Sequence, residues 1–288
     1  MASWCFVYTC LIWFLIFIIL ILALYSWVAS NFFNYDLVHL TYSLNLFCNL
    51  SSYLYLAKKW PGIMKYWHQL DQQLELNYGY PGNLTKRINI TIHSIFGKTI
   101  VHYNDLFIVV IAVALKARFA QISQRIITNK REHASLRFWK SIREDYDRLV
   151  RFVQKLNEDL SYIILVSTGF NCFWILKLLY NALKYGTEIG AINFAYSLGF
   201  LLFRFLLVFE CCTQLNCESK KPSFIIHFSD IPIDNVEIFR LLRQIEFDQV
   251  YLSGNNFFRM KNGIILNVAE AIVAYELTLF QYQVFYQV

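Results

Sequence analysis

Long apolar runs separated by polar connectors dominate this chain. A window of about 20 residues, the length of helix that crosses a hydrocarbon layer, finds six runs: Trp4–Val28, Asp36–Ala57, Ile88–Phe119, Leu160–Tyr185, Gly190–Cys211 and Gly263–Val288. We expect these runs to form membrane-spanning helices. The first run is too long for the apolar part of a secretory signal and has no basic segment before it, so we expect it to be retained.

The polar stretch before the fourth run has a helical pattern of its own. Its apolar residues recur at steps of three and four, which places them on one helix face: Leu136, Trp139, Ile142, Tyr146, Leu149, Val153, Leu156 and Leu160. No helix breaker separates this stretch from the fourth run, so we predict one long helix that projects into the cytoplasm. A packed cytoplasmic helix is the simplest interpretation, and a basic amphipathic target for calmodulin or lipid is the alternative.

A shorter amphipathic helix is predicted after Pro232, with Asp234 as its N-cap. Its apolar positions are Ile238, Leu241, Leu242, Ile245 and Leu252. The sequence Ser-Gly-Asn-Asn at 253–256 then ends this segment just before the last apolar run. Two amphipathic helices between apolar runs indicate a packed intracellular layer beneath the membrane.

Composition agrees with a membrane protein. Of the 288 residues, 57% are hydrophobic and 16% are charged, whereas soluble domains have about 45–50% and about 25%. The predicted fold class is therefore all-α, a polytopic transmembrane helical bundle with long cytoplasmic helical extensions. Seven cysteines without a CxxC pair indicate neither a disulfide framework nor a zinc site. Nucleotide-binding and hydrolase motifs are absent from the sequence, so we predict no enzyme, cofactor, metal or nucleic acid.

The 26 Lys and Arg are concentrated in three connectors. Lys58–Arg87 contains five of them, Lys116–Lys155 eleven and Cys212–Lys261 six. Because cytoplasmic connectors of membrane proteins are rich in Lys and Arg, these three are predicted to be cytoplasmic, and the last run leads to an extracellular C-terminus. The chain must then enter and leave Ile88–Phe119 on the same side, although this run is too short for two crossings of about 20 residues each. Either the run is a re-entrant hairpin or a span has been lost.

The last apolar run contains a polar stripe. Asn267, Glu270, Ala274, Thr278 and Gln281 recur at steps of three and four, so they share one helix face. Polar side chains at membrane depth normally face a bundle interior or a water-filled cavity. The stripe therefore has two equally good interpretations, the lining of a cation pore between several copies or hydrogen-bonded contacts between helices.

Four blocks of sequence resemble the insect gustatory receptors. In the last run, Tyr275 and Gln281 match that family's signature, with Ala274 and Tyr282 at its two other fixed positions, and Glu276 is similar to the sugar-receptor branch. The other three blocks are Trp60–Trp67, Asn104–Ile108 with Ala117–Phe119, and Leu136–Tyr162. The four blocks occur in family order, and the similarity as a whole covers most of residues 36–288.

This resemblance implies a seven-helix plasma-membrane protein with a cytoplasmic N-terminus. It also implies a homo- or hetero-tetramer with other gustatory receptor subunits that forms a sugar-gated, non-selective cation channel for sweet taste. The last helix would line the pore, with Gln281 and Tyr282 at the gate. Because sugars bind to aromatic faces and a few polar groups, we expect Asn171, Trp174, Asn193 and Tyr196 to form the pocket, with ordinary helix packing as the alternative.

The chain also departs from the family. Asn83–Phe96 resembles the start of the third helix and Thr99–Phe119 the fourth, so most of the third helix is expected to be missing at a junction near Gly97. The predicted N-terminal region is 1–128, and helices three and four are fused within its residues 88–119. The segments after it are a cytoplasmic helix 129–160, two spans in 161–211, a cytoplasmic loop and helix 212–258, and the last helix 259–288.

Three other functions are alternatives to a conducting channel. A truncated receptor remnant would not conduct. A G-protein-coupled receptor would need an Asn-Pro motif, which the chain lacks, and a transporter would need inverted repeats, which we do not find.

Overall fold

The computed structural model describes residues 17–18, 21, 35–78, 103–129, 135–185, 191–228, 235–261 and 263–286. These contain six helices, α1 (Tyr35–Tyr78), α2 (Tyr103–Thr128), α3 (Leu136–Tyr185), α4 (Ala191–Phe228), α5 (Val236–Phe247) and α6 (Ile264–Tyr286). A two-stranded antiparallel hairpin, β1 (Ser253–Gly254) and β2 (Phe258–Arg259), precedes α6. The predicted all-α bundle is confirmed, with this small hairpin added. Most of the first apolar run lies outside the described residues.

Helix α3 is the central element of the bundle. It continues without interruption from the polar stretch into the fourth apolar run, as its periodicity predicts. Seven of the eight residues of the apolar stripe are buried, from Trp139 to Leu160. Leu136 is 57% exposed because it lies in the first turn of the helix, before the neighbouring helices reach it.

Side-chain pairs show how the helices run. Helices α1 and α3 are antiparallel, since Asn77 near the end of α1 donates to Asp145 near the start of α3 at 3.1 Å, and Lys59 pairs with Asp159. Helix α2 is also antiparallel to α3, because Arg125 near its end lies 3.6 Å from Asp145. We call the end of the bundle where α1 and α2 end and α3 begins the basic end, and the opposite end the far end.

The two ends clarify the short third run. Helix α1 ends at the basic end, whereas α2 begins at the far end, where Asn104 donates to Asn49 near the start of α1. Helices α1 and α2 therefore run in the same direction, and both end at the basic end. The predicted junction near Gly97 lies outside the described residues.

Two sequence expectations are corrected at the basic end. Helix α4 extends to Phe228, so residues 212–228 are helix rather than the start of a loop. This extension is stable because Leu215 and Ile226 are buried in the core. The N-cap of α5 is Asn235 rather than Asp234, because the Asn235 side chain accepts from the backbone N–H of Glu237 at 3.0 Å.

Membrane-length apolar helices account for three of the described elements. Asn104–Thr128, Leu136–Ala182 and Phe194–Phe228 are long and apolar enough to cross a membrane. In α6 the apolar part that the structure describes, Ile264–Tyr275, is shorter. Helix α1 is more polar, and its polar residues at the far end contribute to the site below.

Candidate ligand cavity and last helix

A cavity of about 430 Å³ lies at the far end, between α1, α2, α3 and α4. Its volume is within the range of about 300–1,000 Å³ found for small-molecule sites. We call it the far-end cavity. Its aromatic lining includes Trp174 of α3 and Tyr196 of α4, and Tyr196 stacks on Phe200 with ring centroids 6.4 Å apart.

One wall of the far-end cavity is a row of amide side chains. Asn45 and Asn49 are one turn apart on α1, and Asn49 donates to Asn45 at 2.6 Å. Asn104 of α2 donates to Asn49 and continues the row. Amide groups both donate and accept hydrogen bonds, so this wall suits a ligand whose groups do the same.

A buried ion pair includes Arg204, one of the residues that line the far-end cavity. Arg204 Nε on α4 lies 2.7 Å from Asp105 Oδ2 on α2. From α3, the amide nitrogen of Asn171 donates to the same carboxylate oxygen at 3.1 Å, and the hydroxyl of Ser167 donates to the other oxygen. Arg204 also donates to Asn171 Oδ1. All four residues are buried, so one polar cluster joins three helices at membrane depth.

Two buried atoms in the lining keep unused hydrogen-bonding capacity. Within the described residues, neither Arg204 Nη1 nor Asn104 Oδ1 has a hydrogen-bond partner. One is a donor and the other an acceptor, and both residues line the far-end cavity. Leaving such groups buried and unsatisfied costs about 1–3 kcal/mol each. Both atoms are themselves covered by protein, so a ligand in the cavity pairs with them only after the side chains around them shift.

The polar stripe of the last helix lies in a different environment. Its five members, Asn267, Glu270, Ala274, Thr278 and Gln281, are all exposed in the single chain. The described α6 side chains that pack against the core are Ile264, Ile265, Val268 and Ile272.

Helix geometry separates the packed side chains of α6 from the polar stripe. Val268 and Glu270 are two residues apart, as are Ile272 and Ala274. Two residues correspond to about 200° around a helix. The polar stripe therefore points away from the body of its own chain.

A family model described as "Trehalose receptor" matches residues 1–102 and 88–286 of the chain. The chain belongs to the trehalose receptor family. The two matched segments of this trehalose receptor family member overlap at residues 88–102, which include the predicted junction near Gly97. Its family and its apolar helices make it a membrane protein of the receptor type.

Curated relatives assign this family member to the sugar branch of the insect gustatory receptors. It is 31% identical over 182 residues to "Gustatory receptor for sugar taste 64b" of Drosophila melanogaster, covering 61% of this chain and 44% of the relative. It is 26% identical over 181 residues to "Gustatory receptor 5a for trehalose" of the same organism, covering 62% and 41%. These matches span less than half of the length of the relatives.

A solved structure supports the fold. The bundle is similar to an insect olfactory receptor, OR5 from Machilis hrabei, with a TM-score of 0.71, 13% sequence identity, and coverage of 96% of this chain and 89% of that one. At this identity the similarity establishes the fold alone. In the described part of this family member, no group of three His, Cys, Asp or Glu residues is placed to hold a metal ion.

Three of the four pocket residues predicted from the sequence lie together in the structure. Asn171, Trp174 and Tyr196 line the far-end cavity together, whereas the side chain of Asn193 lies outside the described residues. In the signature, Tyr275 is exposed, and the side chains of Glu276 and Tyr282 also lie outside the described residues.

Sequence reasoning missed several residues of the far-end cavity in this trehalose receptor family member. They are Asn45, Asn49, Asn104 and Ser167 in its lining, together with Asp105, the pairing partner of Arg204. A signal was present, since Asp105 and Arg204 are opposite charges within or beside apolar runs, and such charges usually pair with one another.

Outside the membrane-spanning segments, a polar contact fixes α5 to the start of α3. Arg143 Nε lies 2.6 Å from Glu237 Oε2. This hydrogen bond from Arg143 lowers the pKa of Glu237 below its usual value. At the basic end the carboxylates of Glu237 and Asp145 are buried but their arginine partners are partly exposed, whereas at the far end both members of the pair are buried.

Proposed function

We propose that this chain is a subunit of a sugar-gated cation channel of the plasma membrane that mediates sweet taste. The observation that carries the ligand part is the far-end cavity with its aromatic and amide lining, in which two residues, Arg204 and Asn104, each keep one buried atom without a hydrogen-bond partner, Nη1 and Oδ1. A sugar hydroxyl both donates and accepts a hydrogen bond, so a neutral polyol satisfies both atoms. The aromatic faces of Trp174 and Tyr196 suit the apolar faces of a sugar ring.

The polar stripe supports the channel part of the proposal. A membrane helix that turns Asn267, Glu270 and Gln281 away from its own chain needs water or polar groups of another chain opposite them. Copies arranged around a symmetry axis, as homo- or hetero-tetramers with other receptor subunits, supply both. Gln281 and Tyr282 then form the gate, and Glu270 attracts cations. Sugar binding shifts the balance between closed and open arrangements of the last helices.

A non-conducting sugar-binding chain is the second candidate. It is favoured by the overlap of the two family-model matches at residues 88–102, where the sequence predicts that most of the third helix is missing. The two candidates share the far-end cavity and differ in the polar stripe. Binding and conduction must therefore be measured separately.

Binding of trehalose to the purified full chain tests the shared part. Asn104→Leu removes the unsatisfied acceptor and Trp174→Ala removes an aromatic wall, so each is expected to weaken binding by roughly ten-fold or more. Lys140→Ala is the control, because this exposed side chain lies at the basic end, and it should bind like the wild type. Equal affinity in all four proteins would exclude the far-end cavity as the sugar site.

Conduction then separates the candidates. Trehalose-evoked cation current from the full chain, alone or with partner subunits, supports the channel. Trehalose binding without any current in either setting supports the non-conducting chain.

A further inference from the structure

The β1–β2 hairpin is the last element before α6, and its turn is built from residues suited to it. Asn255 and Asn256 have φ values of 46° and 64°, in the left-handed region that Asn tolerates better than most residues. A Cβ on the neighbouring Gly254 would lie 2.4 Å from the Phe258 ring, so a larger residue there would displace that ring. The hairpin is therefore a defined turn rather than a loose connector.

Asn157 of α3 fixes this hairpin from one side. Its amide oxygen accepts from the backbone N–H of Ser253 at 2.7 Å, and its amide nitrogen donates to the hydroxyl of Ser253 at 3.0 Å. Ser253 is fully buried. One side chain thus satisfies both the backbone and the side chain of the first hairpin residue.

Helix α4 fixes the same segment from the other side. Asn216 donates to the backbone carbonyl of Val250 at 2.6 Å. The ring of Phe209 stacks on Phe258 of β2, with centroids 6.3 Å apart. The hairpin is therefore attached to α3 and α4, the two helices that supply Trp174, Tyr196 and Arg204 to the far-end cavity.

Helix α6 depends on this attachment more than the other membrane helices do. Its described side chains that pack on the core, from Ile264 to Ile272, all lie in its first nine residues. Beyond them, Val273 and Leu277 are more than half exposed. The position of the last helix in its own chain is thus set at its first turns and at the hairpin that precedes them.

We propose that Asn157 is a positioning residue for the last helix. Through its bonds to Ser253, Asn157 transmits movement of α3 to α6. This inference rests on the proposed function for its gating part. Sugar bound between α3 and α4 changes their packing, and both helices continue as unbroken rods to the hairpin. The bonds from Asn157 to Ser253 carry that change to the start of α6, and so to the polar stripe.

Asn157→Leu tests the attachment because it keeps a similar size and removes both bonds. Hydrogen exchange of the full chain in lipid nanodiscs should show backbone amides 250–272 exchanging roughly ten-fold faster, with amides at the far end unchanged. Gln249→Ala is the matched control, since Gln249 accepts from Lys261 within the same segment at the exposed surface. Equal exchange in Asn157→Leu and the wild type would overturn the proposal.

A milder variant covers the case in which Asn157→Leu fails to fold. Ser253→Ala keeps the bond from its backbone N–H to Asn157 and loses only the hydroxyl. It should raise exchange at the same amides by a smaller factor. If Ser253→Ala folds and exchanges like the wild type, the attachment is again contradicted.

The gating part is tested by measuring trehalose affinity and trehalose-evoked current in Asn157→Leu and Ser253→Ala. Trehalose affinity should stay within about two-fold of the wild type, while the maximal trehalose-evoked current falls roughly ten-fold; Gln249→Ala keeps both. Faster exchange with an unchanged maximal current would overturn the transmission role. If the wild type binds no trehalose or carries no current, the proposed function fails, and the exchange result alone decides whether Asn157 positions α6.

Discussion

The far-end cavity and the polar stripe both place polar side chains at membrane depth, yet their surroundings differ. Beside the far-end cavity, Asp105, Arg204, Asn171 and Ser167 are buried and bonded to one another across three helices. In the polar stripe, Glu270 and Gln281 are exposed in the single chain. The first set is organised by its own chain, and the second is turned toward something outside it.

This difference separates two uses of polarity in a membrane protein. A buried cluster that is nearly satisfied holds helices in one arrangement, and its few unsatisfied atoms define what a ligand must offer. An exposed polar face on a membrane helix is in a favourable environment only when it contacts polar groups of another subunit or water. Substitutions in the two regions should therefore fail in different ways.

The largest effect is expected in the buried cluster. Asp105→Ala leaves the Arg204 guanidinium buried without its carboxylate, which costs about 3–5 kcal/mol, a large part of the stability of a typical domain. We expect loss of the monodisperse receptor in size-exclusion chromatography. Asp105→Leu combined with Arg204→Met should recover much of it, since neither charge remains. A wild-type profile for Asp105→Ala would show that the pair is not needed by the fold.

An intermediate effect is expected in the polar stripe. Glu270→Gln keeps the size of the side chain and removes its charge, so the receptor should fold and bind trehalose as before. The ratio of cation to anion permeability should fall several-fold, because a ring of carboxylates favours cations. Glu270→Asp retains the charge and is the control. Unchanged selectivity in Glu270→Gln would remove this residue from the ion path.

The smallest effect is expected at the basic end, where the arginine partners of Glu237 are partly exposed to solution. Arg143 lowers the pKa of Glu237 in the folded state, so this pair stabilises the fold above the usual pKa of Glu and ceases to do so as the pH falls through the lowered value. Glu237→Gln should melt roughly 2 °C below the wild type at pH 7. That gap should close at acidic pH, and a gap that widens on acidification would contradict the assignment.

The sequence predicts the helices better than it predicts the side-chain contacts between them. The spacing of the residues from Trp139 to Leu160 is enough to give both the long α3 helix and its buried face, because helix period and burial follow from local pattern. The polar stripe is found for the same reason. Long-range pairs are different, since Asp105 and Arg204 are far apart in the chain and only packing brings them together.

The far-end cavity shows the same limit. Asn171, Trp174 and Tyr196 lie on two consecutive helices and could be chosen by residue type, whereas Asn45, Asn49 and Asn104 come from α1 and α2. Their contribution depends on how those helices cross. The N-cap at Asn235 instead of Asp234 is a smaller error of the same kind, because adjacent residues with equal capping ability are separated only by backbone geometry.

The most direct test of the central claim asks which face of α6 meets water. Glu270→Cys and Gln281→Cys lie on the polar stripe, while Ala269→Cys and Val273→Cys are exposed positions off it. A charged, water-soluble thiol reagent should modify the polar-stripe cysteines in intact membranes roughly ten-fold faster than the others, as read by peptide mass. Equal rates on both faces, or faster modification at Ala269→Cys and Val273→Cys, would contradict a shared aqueous path along the last helix.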